Sequence, residues 1–317
     1  MLNKITDNIL KGNKITRDEV LYLLNADINK LSEKANSIRI YFCGNKINLC
    51  SIISGKGGNC SENCKFCAQS GFHNTSVESY GFLDNDTIVE DCKKHCKAGV
   101  HRYSIVTAGR ALNENDFNKA VNAYRNMSKE CPKMGLCASH GLLKYEQFKI
   151  LRDSGVTRYH CNVETSKNYF SKICTTHSFE DKINTIKSAK RAGLEICSGG
   201  IIGMGETMED RVDMAFTLAD LEVKSIPINI LTPIKNTPLE NAEPLSEDEI
   251  IRTVAVFRFI NPRADIRIAA GRSKMSDNGI KAFFSGANAT ITGDFLTTTG
   301  STINKDKEMF LNNGFEI

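Results

Sequence analysis

No stretch of this 317-residue chain is apolar for long enough to cross a bilayer, and no run of like charge or basic stripe marks a nucleic-acid partner. The 41 basic residues nearly cancel the 37 acidic ones, leaving a net +4, too little to draw the chain to nucleic acid. No tandem repeat, linker or low-complexity segment interrupts the sequence. The opening residues, MLNKITDNILKGNKITRDEV, alternate polar and apolar too quickly for the apolar centre of a secretory signal, so a cytoplasmic protein is expected. Charged residues at 25% and hydrophobic ones at 41% are ordinary for a folded soluble chain, and the length suits a single α/β barrel.

What the chain does have is cysteine, twelve of them. A disulfide framework belongs to short secreted chains; here the thiols read as metal ligands or catalytic groups. Some are ordinary: Cys92 and Cys96, four apart in IVEDCKKHCKAG, read as helical core or surface thiols.

Residues 16–36, with Thr16 as N-cap candidate, read as one helix, and IRIYFCG and INLCSIISG as β-rich runs ending in glycine. Further candidate strands are RYSIVTAG, MGLCASHG, RYHCNVET, EICSGGIIG, SIPINIL and IRIAAGR, separated by amphipathic helical runs. Repeated βα units of this length predict a (β/α)8 barrel of the TIM type, with residues 1–39 as an N-terminal helical extension and 40–317 as the barrel and C-terminal segment. Chemistry in such barrels sits where strands end.

The segment GNCSENCKFCAQS, residues 58–70, follows a strand directly and carries Cys60, Cys64 and Cys67. Three soft thiolates at this spacing suit an iron–sulfur cluster. Zinc would want a fourth ligand nearby, and the nearest histidine, His73, lies six residues beyond Cys67. Cys-x3-Cys-x2-Cys with an aromatic residue, Phe66, before the last cysteine resembles the radical S-adenosylmethionine enzymes. The blocks CSENCKFCAQS, YHCNVETS, CSGGIIGMGET, PINIL, IRIAAGRSKM and GANATITGDFLTT resemble, in that order, the biotin synthase family over roughly residues 40–305.

The resemblance implies a four-iron cluster on Cys60, Cys64 and Cys67 that cleaves S-adenosylmethionine, and a second cluster inside the barrel that donates sulfur to dethiobiotin. It implies cofactor contacts from Phe66, Asn162, Glu164, Gly199 and Gly200, and substrate contacts from His160, Asn162 and Asn229. His160 stands where familiar members carry asparagine, and Glu164 where aspartate is common. Gly199, Gly200, Gly203 and Gly205 are expected to bring backbone close to a ligand, or, for the last two, simply to turn the chain. For the second cluster the family pattern matches Cys137, Cys197 and Arg267, but its third cysteine position holds Ser104. A serine oxygen is a poor ligand to iron. If strand 1 lies between strands 2 and 8, Cys50 can take the missing place, with Cys43 as fourth ligand through a short hairpin, and Cys161 sits beside Asn162. A four-iron auxiliary centre is then an alternative to a two-iron one.

The resemblance also implies a flavodoxin or ferredoxin as electron donor, iron–sulfur assembly machinery as partner, and a homodimer, with no membrane or nucleic-acid partner. Alternative readings are a related enzyme without sulfur insertion, of hydrogenase-maturase or methylornithine-synthase type, and a non-catalytic iron–sulfur scaffold.

Overall fold

In the computed structural model, which describes residues 1–293 and 301–317, the chain opens with three helices, α1 (Leu2–Leu10), α2 (Arg17–Leu24) and α3 (Ile28–Cys43). Helix α2 starts where Thr16 and Glu19 form a capping box, each side chain accepting from the other's backbone N–H. The single helix expected over 16–36 is two, because Asp27 accepts from the Lys30 amide and starts a second. IRIYFCG is the end of α3 and not a strand. Leu31, Ala35 and Ile38 recur at helical spacing and are buried, and packing that stripe outweighs the β preference of Ile38 and Ile40.

Nine strand segments follow: β1 (Asn48–Lys56), β2 (Arg102–Thr107), β3 (Gly135–Ser139), β4 (Val156–His160), β5 (Glu195–Cys197), β6 (Gly200–Ile202), β7 (Ser225–Ile230), β8 (Asp265–Ile268) and β9 (Ala289–Ile291). All neighbours pair in parallel. Segments β5 and β6 are two halves of one stave, both pairing with β7 and broken at Ser198 and Gly199. Strand β9 lies between β8 and β1 and closes an eight-stave barrel. The eighth stave is therefore residues 289–291, and Arg267 on β8 is not on the immediate neighbour of β1, as had been expected. Of the GANATITGDFLTT block, residues 294–298 lie outside the described residues.

Strand alternation sorts the side chains. Ile105, Leu136, Ile196, Ile226 and Ile266 point outward into the apolar layer under the helices and are at most 3% exposed. Ser104, Cys137, Cys197, Ser225 and Arg267, one residue to either side, line the interior. That outer layer is built by α4 (Asn85–Lys97), α5 (Glu114–Glu130), α6 (Tyr145–Asp153), α7 (Lys167–Ile173), α8 (Phe179–Arg191), α9 (Met208–Asp220) and α10 (Glu247–Ile260). The short α11 (Ile280–Phe283) and the terminal α12 (Ile303–Asn312) complete it, with Phe310 packed edge-on against Phe283 and buried Asp306 paired with Arg272.

Candidate functional site

The cysteine loop leaves β1 through Gly58, which takes φ +71° and leaves no room for a Cβ: it would stand 2.7 Å from the Ser79 Cα. The loop is folded on itself, the Cys60 amide donating to Gln69 O at 2.9 Å, the Cys67 amide to Cys64 O at 3.0 Å and the Gly71 amide to Cys60 O at 2.8 Å. The segment after α7 clamps it from the side: the Lys65 amide donates to Ile173 O at 2.9 Å, and Asn63 Oδ1 accepts from the Thr175 and Thr176 amides at 2.9 and 3.2 Å. Burial pushes the Cys67 thiol up to about 11. Among the described residues, the one group of three ligand atoms within 4.8 Å of one another joins Cys64 to Cys174 and His177, not to Cys60 and Cys67. The loop thiols are spread wider than the ligands of a single ion, as a cluster with several irons requires, and their softness suits iron.

A cavity of about 350 Å³ runs from this loop into the barrel, with Phe66 and Cys67 at its mouth and Cys50, Ser104, Cys137, Cys197 and Arg267 along its wall. The register explains the gathering: Ser104 lies opposite Cys137, Cys137 opposite Arg158, and His160 opposite Cys197. Arg102 Nε donates to Cys137 Sγ at 3.3 Å, and Cys197 Sγ lies 3.3 Å from His160 Nδ1. Arg267 donates to Asn48 O, Asn48 Oδ1 and Thr290 O at 3.2, 2.9 and 2.6 Å, spanning β9 to reach β1. Burial pushes the Cys50 thiol well up, Arg267 opposing this and Cys137 and Cys197 adding to it. Burial holds the His160 imidazole neutral, its pKa brought down to about 4. Ser104 is buried and its Oγ has no hydrogen-bond partner. Three thiols, three guanidinium groups and an orphaned hydroxyl around one cavity fit an anionic thiolate-bound cluster.

On the loop side of the cavity, Glu164 takes φ +70°, which is uncommon away from glycine and concentrates at functional sites. Its backbone is fixed by the Gly199 carbonyl at 3.1 Å and the Ile201 amide at 2.9 Å. Asn162 Nδ2 donates to Glu164 Oε2 at 3.3 Å, and Lys182 Nζ stands 3.7 Å from Glu164 Oε1. Burial opposes the charge of Lys182, but the acidic groups around it, Cys161 and Glu164 foremost, hold its pKa above the usual lysine range. Asn229 donates to Gly200 O at 3.1 Å and accepts from the Ala270 amide at 3.2 Å while facing the cavity.

One sequence expectation changes here. Cys43 is not on a hairpin beside Cys50: it ends α3, where Arg258 Nη1 donates to its thiol at 3.3 Å, because the helix carries it to the outside of the barrel. Cys161 points outward into the apolar layer. At Gly199 and Gly200 a Cβ would stand 1.9 Å from Pro227 O or 2.2 Å from Glu164 O, so the barrel wall by itself requires glycine at both. Gly203 and Gly205 take φ +95° in the turn that leads to α9, which is turn chemistry. The sequence reading passed over Arg102 and Arg158, which face the cavity two residues before Ser104 and His160; the two-residue alternation was the available signal. Lys182, Cys174 and His177 carried no local signal, since only the fold brings them to the loop.

Two family models match: the radical SAM superfamily over residues 56–218 and the biotin and thiamin synthesis associated domain over residues 227–316. Among solved structures, a methylornithine synthase superposes with a TM-score of 0.85 at 19% identity, covering 98% of this chain and 96% of that one. A maturase of the FeFe-hydrogenase gives 0.85 at 15% identity, over 99% of this chain and 74% of that one. At such identities these two establish the fold alone. The biotin synthase of Alkaliphilus metalliredigens is 59% identical, over 100% of this chain and 99% of its own length. That of Clostridium beijerinckii is 56% identical over 100% of both. Barrel, cysteine loop and full-length identity agree, and the chain belongs to the biotin synthase family.

Proposed function

We infer that the chain converts dethiobiotin to biotin as a radical S-adenosylmethionine sulfurtransferase, as its membership of the family implies. We propose that Cys60, Cys64 and Cys67 hold the four-iron cluster that binds S-adenosylmethionine, and that Cys50, Cys137, Cys197 and Arg267 hold the auxiliary cluster. The observation that carries this assignment is that Cys67 and the three interior thiols open on one cavity. When bound, the clusters and S-adenosylmethionine supply the one-electron chemistry and the sulfur atom that no side chain can.

The chain's own residues bind, orient and exclude water. Asn162 and Glu164 are placed to hold the ribose of S-adenosylmethionine, with Phe66 packing beside it, and Lys182 gives the neighbourhood a fixed positive charge. Asn229 uses one donor and one acceptor on the barrel wall and keeps one of each for the ureido ring of dethiobiotin. A neutral His160 offers that ring one further hydrogen-bonding nitrogen in place of an amide. With a hydroxyl at Ser104, the third thiolate of the auxiliary centre comes from Cys50, one stave away. Arg102 and Arg158 offset the charge of the thiolates.

Residues 1–39 are read as a helical extension to the barrel of 40–317. A flavodoxin or ferredoxin donor, delivery by iron–sulfur assembly machinery and a homodimer complete the proposal; exposed Leu21, Tyr22, Ile40 and Tyr41 offer apolar surface for the last. Among the described residues no helix is long and apolar enough to cross a membrane.

The test is anaerobic reconstitution with iron and sulfide, a count of both per chain, and incubation with S-adenosylmethionine, reductant and dethiobiotin. Biotin, 5′-deoxyadenosine and more iron than one four-iron cluster holds are expected. Deoxyadenosine without biotin would move the chain to the chemistry of its structural neighbours, and neither product would leave a scaffold.

A further inference from the structure

We propose that Cys64, Cys174 and His177 form a soft-metal site for a divalent ion of the zinc class, and that an ion bound there blocks loading of the iron–sulfur cluster because Cys64 belongs to both centres. Cys174 and His177 take no part in the chemistry described above. They lie at the end of α7 and in the turn before α8, 110 and 113 residues from Cys64.

The distances are those of one ion's ligands. With zinc–sulfur bonds of about 2.3 Å and zinc–nitrogen bonds of about 2.0 Å, a tetrahedron has sulfur–sulfur edges of about 3.8 Å and sulfur–nitrogen edges of about 3.5 Å. Cys64 Sγ and Cys174 Sγ stand 3.7 Å apart, and Cys174 Sγ lies 3.8 Å from His177 Nε2. Ligand atoms of all three residues fall within 4.8 Å of one another.

The surroundings complete the pattern. Glu62 Oε2 lies 2.5 Å from His177 Nδ1, which also stands 3.4 Å from Cys174 Sγ; with Nδ1 held by the carboxylate, Nε2 at 3.8 Å from that sulfur is the nitrogen left to bind an ion. Zinc-binding histidines are commonly held in place through their other nitrogen by a carboxylate. Glu62 is itself fixed, accepting from Thr176 Oγ1 at 2.8 Å and lying 3.4 Å from Arg110 Nη1. The Phe170 ring meets the imidazole edge-on with centroids 5.6 Å apart. Glu62, Cys174 and His177 are each less than 9% exposed, while Cys64 is half-buried and opens the site to the loop. Two thiolates and a neutral imidazole cancel the charge of a divalent ion, and the Asn63 clamp holds the two segments together. The fourth corner is left to water.

The exclusivity rests on Cys64 as a cluster ligand; the metal site does not. The experiment uses the full chain, purified anaerobically before any iron or sulfide is added, and titrates cobalt(II) as a coloured stand-in for zinc. One cobalt per chain with the intense visible bands of a tetrahedral site and a thiolate charge-transfer band is expected. Cys174→Ser and His177→Asn should abolish that spectrum, Glu62→Gln should weaken cobalt affinity about 10-fold to 100-fold, and Cys60→Ala and Cys67→Ala should leave it unchanged. A spectrum that survives both Cys174→Ser and His177→Asn, or that disappears equally with Cys60→Ala, would overturn the site. In the unmodified chain, one equivalent of zinc added before iron and sulfide should lower the four-iron absorbance at least several-fold, and Cys174→Ser should restore it; equal loading with and without zinc would overturn the exclusivity. A Cys64→Ala chain that still loads a full loop cluster would instead sink the reading of Cys64 as its ligand, leaving the cobalt result standing.

Discussion

His140 is fully buried between the barrel and α5, its Nε2 2.9 Å from the Tyr124 hydroxyl and its Nδ1 3.1 Å from Thr107 Oγ1. Burial brings its pKa down to about 3. Between that value and about 6.5 the unfolded chain takes up a proton that the folded chain refuses, so stability falls as pH falls through this window and is complete above it. Urea unfolding at pH 7, 6 and 5 should show the fall, and His140→Gln should reduce the slope by up to about 1.4 kcal/mol per pH unit; an unchanged slope would refute the neutral, buried imidazole. His160 adds a slope of the same sign. The auxiliary-cluster assignment also rests on single residues. Cys50→Ala should lower iron and sulfide by the content of one cluster on reconstitution, whereas Cys43→Ala should leave both unchanged, since Cys43 lies at the end of α3 beside Arg258. Equal content in Cys50→Ala and the unmodified chain would remove Cys50 from the site. The loop cysteines were legible from spacing alone, because all three fall within eight residues. Cys174 and His177 were not, because no short-range pattern records a contact across 110 residues.

Among the elements, the broken stave formed by β5 and β6 is where the wall is tightest. A methyl group on Gly199 would meet Pro227 O, C and N at 1.9, 2.8 and 2.9 Å, all backbone atoms of β7 that cannot turn aside. Gly199→Ala should cost about 3 kcal/mol or more or prevent folding, measured as loss of soluble chain and a lowered melting temperature. Gly81, whose Cβ would meet nothing within 4 Å, is the control, and Gly81→Ala should stay within about 0.5 kcal/mol. Comparable losses for both would mean the wall yields more than its geometry implies. Seven of the eight staves were readable from alternation and strand-ending glycines. The eighth was missed because Ala289–Ile291 has three residues, too few for a periodic signal. IRIYFCG misled for the opposite reason: its β-branched residues fit a strand, and only the packed stripe from Leu31 to Ile38 makes it a helix.

At the scale of the whole molecule, the C-terminal helix is held to the barrel by a buried ion pair beside the Phe310 packing. Arg272 and Asp306 are 4% and 0% exposed at the side chain, and Arg272 also donates to Asn278 O at 3.1 Å. Leaving a buried guanidinium without its carboxylate is costly, on the order of 3–5 kcal/mol. Asp306→Asn should therefore lower the melting temperature by several degrees and open the last turns to proteolysis, read by mass of the released C-terminal peptides. Melting and cleavage equal to those of the unmodified chain would show that Phe310 packing alone suffices. The parallel closure by β9 sets an order of events as well. A ribosome adding about 5–20 residues per second reaches residue 289 on the order of tens of seconds after it has made β1. Until β9 is in place the sheet has a lengthwise seam between β8 and β1, and Cys50, on β1, lies beside it. Before that closure the deepest thiol has a second approach for iron and sulfide, through the side of the sheet; after it, the mouth is what remains.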